Sequence, residues 1–144
     1  MSAYDRVTNG SEIVERFGRW PSFHDCEVVR VSIDRTGPAA PRAEMVIHAW
    51  LMTSEVDGRG YYVLEKHSLV TFSFEQLLSS EFVGFNDQNC LSSLSIEEES
   101  LEDGVALRVN FPTSYGLEGS LLCGAVTVVS VRPCDEHGTA LAEV

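Results

Sequence analysis

Apolar and polar residues alternate along most of the chain, a pattern typical of β-strands that bury one face. It predicts strands over residues 26–34, 43–52, 67–74, 91–97, 105–111 and 121–131. Only residues 9–18 carry apolar side chains at helical spacing, and Gly18 predicts the end of that helix. The sequence EQLL at 75–78 predicts one helical turn.

The order of these elements favours antiparallel pairing, because strands follow one another through short connections without intervening helices. No low-complexity linker divides the chain, and its 144 residues suffice for one hydrophobic core. We therefore expect a single α+β domain over residues 1–144. It is predicted to be a mainly antiparallel β-sheet with a short N-terminal helix.

The helix and the first strand meet in a distinctive stretch, WPSFHDCEV, which begins at Trp20. Pro21 disfavours helical backbone at the residue before it, so the chain should turn there. Trp20 and Phe23 can bury a large apolar area where the helix folds back on the sheet. His24 and Asp25 follow directly. We expect these side chains to form a structural corner, within which His24 and Asp25 make hydrogen bonds.

The chain lacks common enzyme signatures: the nucleophile elbow, the phosphate-binding loop, the dinucleotide-binding glycines and the H-E-x-x-H zinc motif. His24 and Asp25 have no nucleophile or third metal ligand at a recognisable spacing. We therefore predict no catalytic residues, no cofactor and no metal. A small ligand-binding or catalytic site near His24 and Asp25 is the alternative. His48, on a strand face with Trp50, is expected near the solvent-exposed edge.

Four cysteines are scattered without a C-x-x-C pair: Cys26, Cys90, Cys123 and Cys134. Cys26 and Cys123 lie in apolar, strand-like runs, which predicts free buried thiols of the kind common in cytosolic proteins. A zinc site built from dispersed ligands is a minor alternative. The chain has no apolar run that could span a membrane, and its first residues lack a signal-peptide core, so we expect a cytoplasmic protein.

Charge is distributed unevenly along the chain, whose ten basic and twenty-two acidic residues give a net charge of −12. Residues 1–66 hold eight basic and ten acidic residues, a net of −2, whereas residues 67–144 hold two and twelve, a net of −10. Such a surface repels nucleic acid and anionic membranes, and it attracts cationic partners. A role in solubility alone is the competing interpretation.

The densest acidic cluster is expected at an exposed tip that connects two strands, within residues 97–104. A further acidic residue lies in the polar run at 86–89, where a turn is predicted because most of those side chains can bond the local backbone. We predict partner binding through these two places, with the binding residues Glu97, Glu98, Glu99, Glu102, Asp103 and Asp87.

The stretch FGRWPSFHDCEV at residues 17–28, followed by IDR at 33–35, resembles the opening signature of the immunity protein 50 family. The run GFNDQN at 84–89 and the strand VTVV at 126–129 resemble later landmarks of that family. These bacterial proteins are encoded beside polymorphic or contact-dependent toxins. The resemblance implies a non-enzymatic inhibitor of a cognate toxin and supplies no catalytic residues. Cys26 stands where a small residue such as alanine is expected.

Charge and resemblance together predict an immunity protein that binds and neutralises a cognate protein toxin through an acidic surface. Tight, charge-complementary binding would suit a basic toxin such as a nuclease. Two alternatives belong to other classes: a ligand-binding domain or enzyme with a site near His24 and Asp25, and a domain that serves as a subunit interface. Assembly into a homo-oligomer is compatible with each of them.

Overall fold

The computed structural model describes residues 2–141 of the chain. A 3-10 helix, Ala3–Arg6, and one α-helix, α1 (Ser11–Phe17), precede the strands. Eight strands follow within the described range: β1 (Glu27–Asp34), β2 (Arg42–Val56), β3 (Tyr62–Val83), β4 (Cys90–Leu91), β5 (Ser95–Leu101), β6 (Gly104–Phe111), β7 (Thr113–Tyr115) and β8 (Glu118–Pro133). The structure is mainly an antiparallel sheet with one short helix, so the predicted α+β class holds in this coarse sense.

The strands form one sheet in the order β5-β6-β8-β3-β2-β1-β4-β7, and the paired neighbours run antiparallel. β6 and β7 lie toward opposite edges of this order, yet Pro112 alone separates them in the chain. The sheet must therefore curl until its two edges approach each other. We call the concave side, which packs against the helices, the inner face and the other side the outer face.

Alternation along the strands places the hydrophobic core on the inner face. Phe72 and Phe74 of β3 and Val128 of β8 are fully buried there. Ile13 and Phe17 of α1 pack on the same face and are at most 3% exposed. Because a helix of seven residues is unstable alone, this packing holds α1 in place.

The helix ends where the sequence predicts. Gly18 adopts the left-handed conformation (φ 82°), and its N–H donates a hydrogen bond to the carbonyl oxygen of Val14 over 2.7 Å. A side chain would strain this backbone conformation, which explains a glycine at the position. The predicted helix at 9–18 is confirmed with slightly narrower bounds.

The prediction of a helical turn at 75–78 is wrong, because these residues continue β3. Glu75 pairs with Ala125 and Leu77 with Cys123 of β8. The ladder with β8 outweighs the helical preference of the local sequence, as tertiary context commonly does. Gln76 has a φ of 55°, and the pairing register shifts after Leu77, so an irregularity stands where the turn was expected.

The predicted strand at 91–97 is also corrected, since it is two strands separated by a short break. β4 ends at Leu91, and β5 begins at Ser95. In the break, the N–H of Ser92 donates to the carbonyl oxygen of Pro112, and that of Leu94 donates to Ser22. These bonds hold the break against the corner and against the β6–β7 junction, and they remove it from the strand ladder.

Candidate functional site

The corner between α1 and β1 contains two residues with left-handed backbone, Phe23 (φ 62°) and Asp25 (φ 64°). Phe23 is 1% exposed and meets Phe72 edge-on, with 5.9 Å between the ring centroids. Trp20 is half-buried and packs against Tyr4 at 4.8 Å and Phe72 at 6.3 Å. The corner thus joins the N-terminal segment to the inner face of the sheet.

His24 lies on the exposed surface of the corner, and its Nδ1 is 3.0 Å from the carbonyl oxygen of Ser92. Its Nε2 is 3.4 Å from Oδ2 of Asp25. The N–H of Asp25 in turn donates to the carbonyl oxygen of Leu91 over 2.8 Å. A depression of about 120 Å³ beside His24 is smaller than the pockets that hold ordinary ligands. The hydrogen bonds to Ser92 and Leu91 attach the corner to the end of β4 and to the break that follows it.

A candidate nucleophile beside this pair is Cys90, whose Sγ is 3.8 Å from Oδ1 of Asp25. Burial raises the pKa of the Cys90 thiol, and the negative charge of Asp25 raises it further. The thiol therefore stays protonated at neutral pH and is a weak nucleophile. This arrangement does not provide the activated thiol that covalent catalysis requires.

The remaining cysteines are free, and Cys26 and Cys123 are buried as predicted. Burial raises the pKa of each of these two thiols to about 12. Among residues 2–141, no three His, Cys, Asp or Glu side chains are grouped so that they could hold a metal ion.

Asn89, which the sequence analysis treated only as part of a polar turn, is 2% exposed and connects three segments. Its Oδ1 accepts hydrogen bonds from the N–H groups of Asn86 and Leu117, at 2.9 and 3.0 Å. Its Nδ2 donates to the carbonyl oxygens of Val28 and Asn86, at 3.2 and 2.8 Å. The run at 86–89, where a turn was predicted, bends at Asn86 and Asp87, and Asn89 fixes it to β1 and to Leu117, the residue before β8.

His48 is 6% exposed, so the expectation of a solvent-edge position is wrong. Its Nε2 is 3.0 Å from Nδ1 of His67, and its ring meets Trp50 edge-on at 4.9 Å. The residues after β8 fold over it, since a Cβ on Gly138 would lie 3.3 Å from Nδ1 of His48. Burial lowers the pKa of His48, His67 lowers it further, and the Asp135 charge opposes them.

The three consecutive glutamates of the predicted tip lie in strand β5, so their side chains alternate between the two faces. Glu98 accepts a hydrogen bond from Nε of Arg6 over 2.7 Å, on the side of the N-terminal segment. Glu99 lies on the outer face and forms a bidentate pair with Arg108, at 3.0 and 3.2 Å. Glu97, directly across from Arg108, also lies there. The prediction of one common tip is therefore wrong for these residues.

The other predicted binding residues lie at two exposed places. Glu102 and Asp103 form the turn between β5 and β6. Asp87 is exposed in the bend between β3 and β4. The six residues are thus distributed over an edge strand, the adjoining turn and a separate bend.

Two carboxylates that the sequence analysis did not single out complete the acidic surface. Glu81 of β3 pairs with Ser120 of β8, which pairs with Asn110 of β6, and Glu118 lies two residues before Ser120 on the same face. Glu81 and Glu118 line a groove of about 360 Å³ with Asn110 and Ser120. Within residues 2–141, neither forms an ion pair.

Period-two alternation places further glutamates on the same side of the sheet. We call the outer face of the region where residues 118–123 of β8 pair with β3 and β6, together with the outer face of the adjoining β5, the acidic face. Its carboxylates are Glu81, Glu97, Glu99 and Glu118. Arg108 lies among them and pairs with Glu99. Only the pairing of β3 with β8 brings Glu81 near Glu118, so local sequence gave no signal for this part of the surface.

Comparison of the chain with models of known protein families gives a match. The family model described as immunity protein 50 matches residues 9–134, which include the corner, the sheet and the acidic face. Comparison with curated proteins and with solved structures gave no match. No helix among residues 2–141 is long and apolar enough to cross a membrane. On the match over 126 of its 144 residues, from 9 to 134, the chain belongs to the immunity protein 50 family.

Proposed function

We propose that this protein is a cytoplasmic immunity protein that binds a cognate bacterial toxin and blocks it without chemistry of its own. Family membership supports an immunity role and points away from catalysis. The acidic face carries the proposed mode of binding, because four exposed or half-exposed carboxylates from three strands surround a single arginine there.

The proposed contact with the toxin depends most on Glu81, Glu97 and Glu118. They are exposed, and within residues 2–141 none of them forms an ion pair. Their full negative charge is therefore available to attract a cationic partner. Glu98 and Glu99 contribute less, because Arg6 and Arg108 already neutralise them.

Three further carboxylates belong to the proposed binding surface. Glu102 and Asp103 extend the acidic face at the β5–β6 turn, next to the strand that carries Glu97. Asp87 has a lesser role, because it lies in a separate bend between β3 and β4. Charge of one sign over such a surface attracts a basic toxin before contact is made.

The experiment compares charge reversals in cells that express the toxin encoded beside this gene. The variants are Glu81→Lys with Glu118→Lys, and Glu97→Lys with Glu102→Lys. The matched control is Glu12→Lys with Glu15→Lys, which makes the same change of charge on exposed positions of α1. Both variants of the acidic face are expected to lose protection, and the α1 variant is expected to keep it.

Equal protection by all three variants would place the contact elsewhere and contradict the assignment of the acidic face. Circular dichroism and thermal melting of each purified variant separate a lost contact from a lost fold. His24→Ala tests the role of the corner in the same assay. It should protect as well as the parent, because His24 is exposed and is not one of the residues of the acidic face.

A further inference from the structure

Three large apolar side chains are exposed at the end of β3 and just before β8. Val83, Phe85 and Tyr115 are between 51% and 56% exposed. Single exposed apolar residues are ordinary in soluble proteins, whereas several of them at one place often mark a binding surface. We call these three residues the apolar patch.

The two segments that carry the apolar patch are in direct contact. Val83 pairs with Glu118 in the ladder between β3 and β8. Beyond this pair, a Cβ on Gly84 would lie 2.7 Å from the carbonyl oxygen of Gly116. The other two members of the patch are immediate neighbours of these glycines in the chain. The contact therefore brings all three side chains to the same end of the sheet.

The hydrophobic core does not account for the apolar patch. Phe82 packs on the ring of Phe111, with 5.5 Å between the ring centroids, and Leu117 is fully buried. These neighbours already supply the apolar side chains that this end of the sheet contributes to the core. Among the described residues, the core cluster includes none of the three patch residues.

Hydrogen bonds fix the backbone around the patch before any partner arrives. Nδ2 of Asn86 donates to the carbonyl oxygen of Gly84 over 2.9 Å. The N–H of Tyr115 donates to Oγ1 of Thr113 over 3.0 Å, and that hydroxyl donates to the carbonyl oxygen of Cys90 over 2.7 Å. A surface that is ordered in advance loses less conformational entropy on binding.

Charge identifies the kind of partner that suits the patch. Residues 79–89 and 110–120 surround it and hold three acidic residues and no basic one. Two of these, Asp87 and Glu118, are exposed within three residues of the patch, and neither forms an ion pair within residues 2–141. A two-fold dimer through the patch would set these like charges against each other. A basic protein with apolar side chains at its contact surface is complementary.

We infer that the apolar patch anchors the toxin, and that the carboxylates beside it form the rim of the contact. The inference rests on the proposed function and adds the residues that hold the toxin after it has been attracted. Protein interfaces commonly place a few aromatic side chains at the centre and charged ones around them, and the central aromatics supply most of the affinity. Val83 also lines the groove of Glu81 and Glu118, so the patch is continuous with the acidic face.

The test is the binding kinetics of the purified protein with the purified toxin encoded beside this gene. Phe85→Ala and Tyr115→Ala should each raise the Kd about tenfold or more. The change should come mainly from faster dissociation, because these substitutions leave the steering charges in place. Tyr61→Ala is the matched control. Tyr61 is 66% exposed in the β2–β3 hairpin, residues 52–66, at the other end of β3, and its variant should bind as the parent does.

Two further measurements separate a lost anchor from a disturbed fold. Tyr115→Phe keeps the ring and should keep most of the affinity that Tyr115→Ala loses. Amide hydrogen exchange of the parent needs no substitution, and residues 83–87 and 113–117 should exchange more slowly in the complex with the toxin. Unchanged exchange in both segments would contradict the inference.

The kinetic results distinguish this inference from the proposed function. If Phe85→Ala and Tyr115→Ala dissociate as slowly as the parent while Glu81→Lys with Glu118→Lys binds more weakly, the inference is overturned and the acidic face stands. The reverse pattern supports the anchor and removes the acidic face as the mode of binding. A parent that does not bind the toxin overturns both. Self-association of the parent that Phe85→Ala abolishes would assign the patch to a second copy and overturn the inference.

Discussion

The two ends of strand β3 belong to surfaces of different chemistry. Its first residues, 62–66, lie in a nearly neutral hairpin with exposed tyrosines and an open backbone edge. Its last residues, 79–83, pair with β8 and carry Glu81 on the acidic face. The buried middle, with Phe72 and Phe74, connects them rigidly. The two ends of one strand therefore differ in local charge and in the strand with which they pair.

The substitution with the largest expected effect destabilises the hydrophobic core that supports both surfaces. Phe23→Ala leaves a cavity beside Phe72 and should lower the free energy of unfolding by about 3–5 kcal/mol. Trp20→Ala should cost less, on the order of 2 kcal/mol, because half-burial leaves less apolar area to lose. Urea unfolding measures both. A loss below about 1 kcal/mol for Phe23→Ala, as is usual for surface sites, would contradict the description of the corner.

A second substitution should affect one end of β3 and spare the other. Asn89→Ala leaves the N–H groups of Asn86 and Leu117 without their buried acceptor, at an expected cost of about 2–3 kcal/mol. Leu117 precedes Glu118, so amide exchange should quicken near the acidic face and stay unchanged in residues 62–66. Equal quickening at both ends would show that the two surfaces are not independent.

Acid should lower the stability of the protein through His48, which is buried at the base of the hairpin. The pKa of His48 is lowered by burial and by His67, so the folded state favours the neutral ring. Below the unfolded value of 6.5 the unfolded chain takes up the proton first, and stability falls with pH until the folded pKa is reached. Chemical unfolding between about pH 7.5 and 5.5 should show this loss, reduced in His48→Gln. An equal loss in both proteins would assign it to other groups.

The smallest expected effect on stability concerns the one arginine of the acidic face. Arg108→Ala removes a partly exposed pair with Glu99, and such pairs contribute about 0–1 kcal/mol. The same change makes the acidic face more negative and should speed association with a basic toxin. Slower association with unchanged stability would show that Arg108 itself contacts the toxin.

The alternation of apolar and polar residues, together with glycine and proline at the ends of elements, allowed much of the fold to be predicted. Gly18 and Pro21 locate the end of α1, and the patterns at 26–34 and 105–111 match β1 and β6 closely. The predicted helical turn at 75–78 failed because pairing with β8, about 50 residues away in the chain, decides its conformation. No local pattern encodes that pairing.

The candidate surfaces were less predictable for the same reason. Glu97, Glu98 and Glu99 are neighbours in sequence, yet strand geometry sends them to opposite faces. Glu81 and Glu118 are far apart in sequence and close in the sheet. His48 is buried because residues after β8 return over it, which its own alternating pattern does not indicate.

The most direct test of toxin binding through the acidic face is the association rate constant of the purified protein with its cognate toxin, measured against salt. For the parent, the rate should fall about tenfold or more between about 0.05 and 0.5 M NaCl, as electrostatic steering is screened. The variant Glu81→Lys with Glu118→Lys should start slower and depend less on salt. The variant Glu12→Lys with Glu15→Lys should follow the parent. Rates that are independent of salt, or equal in all three proteins, would contradict binding through the acidic face.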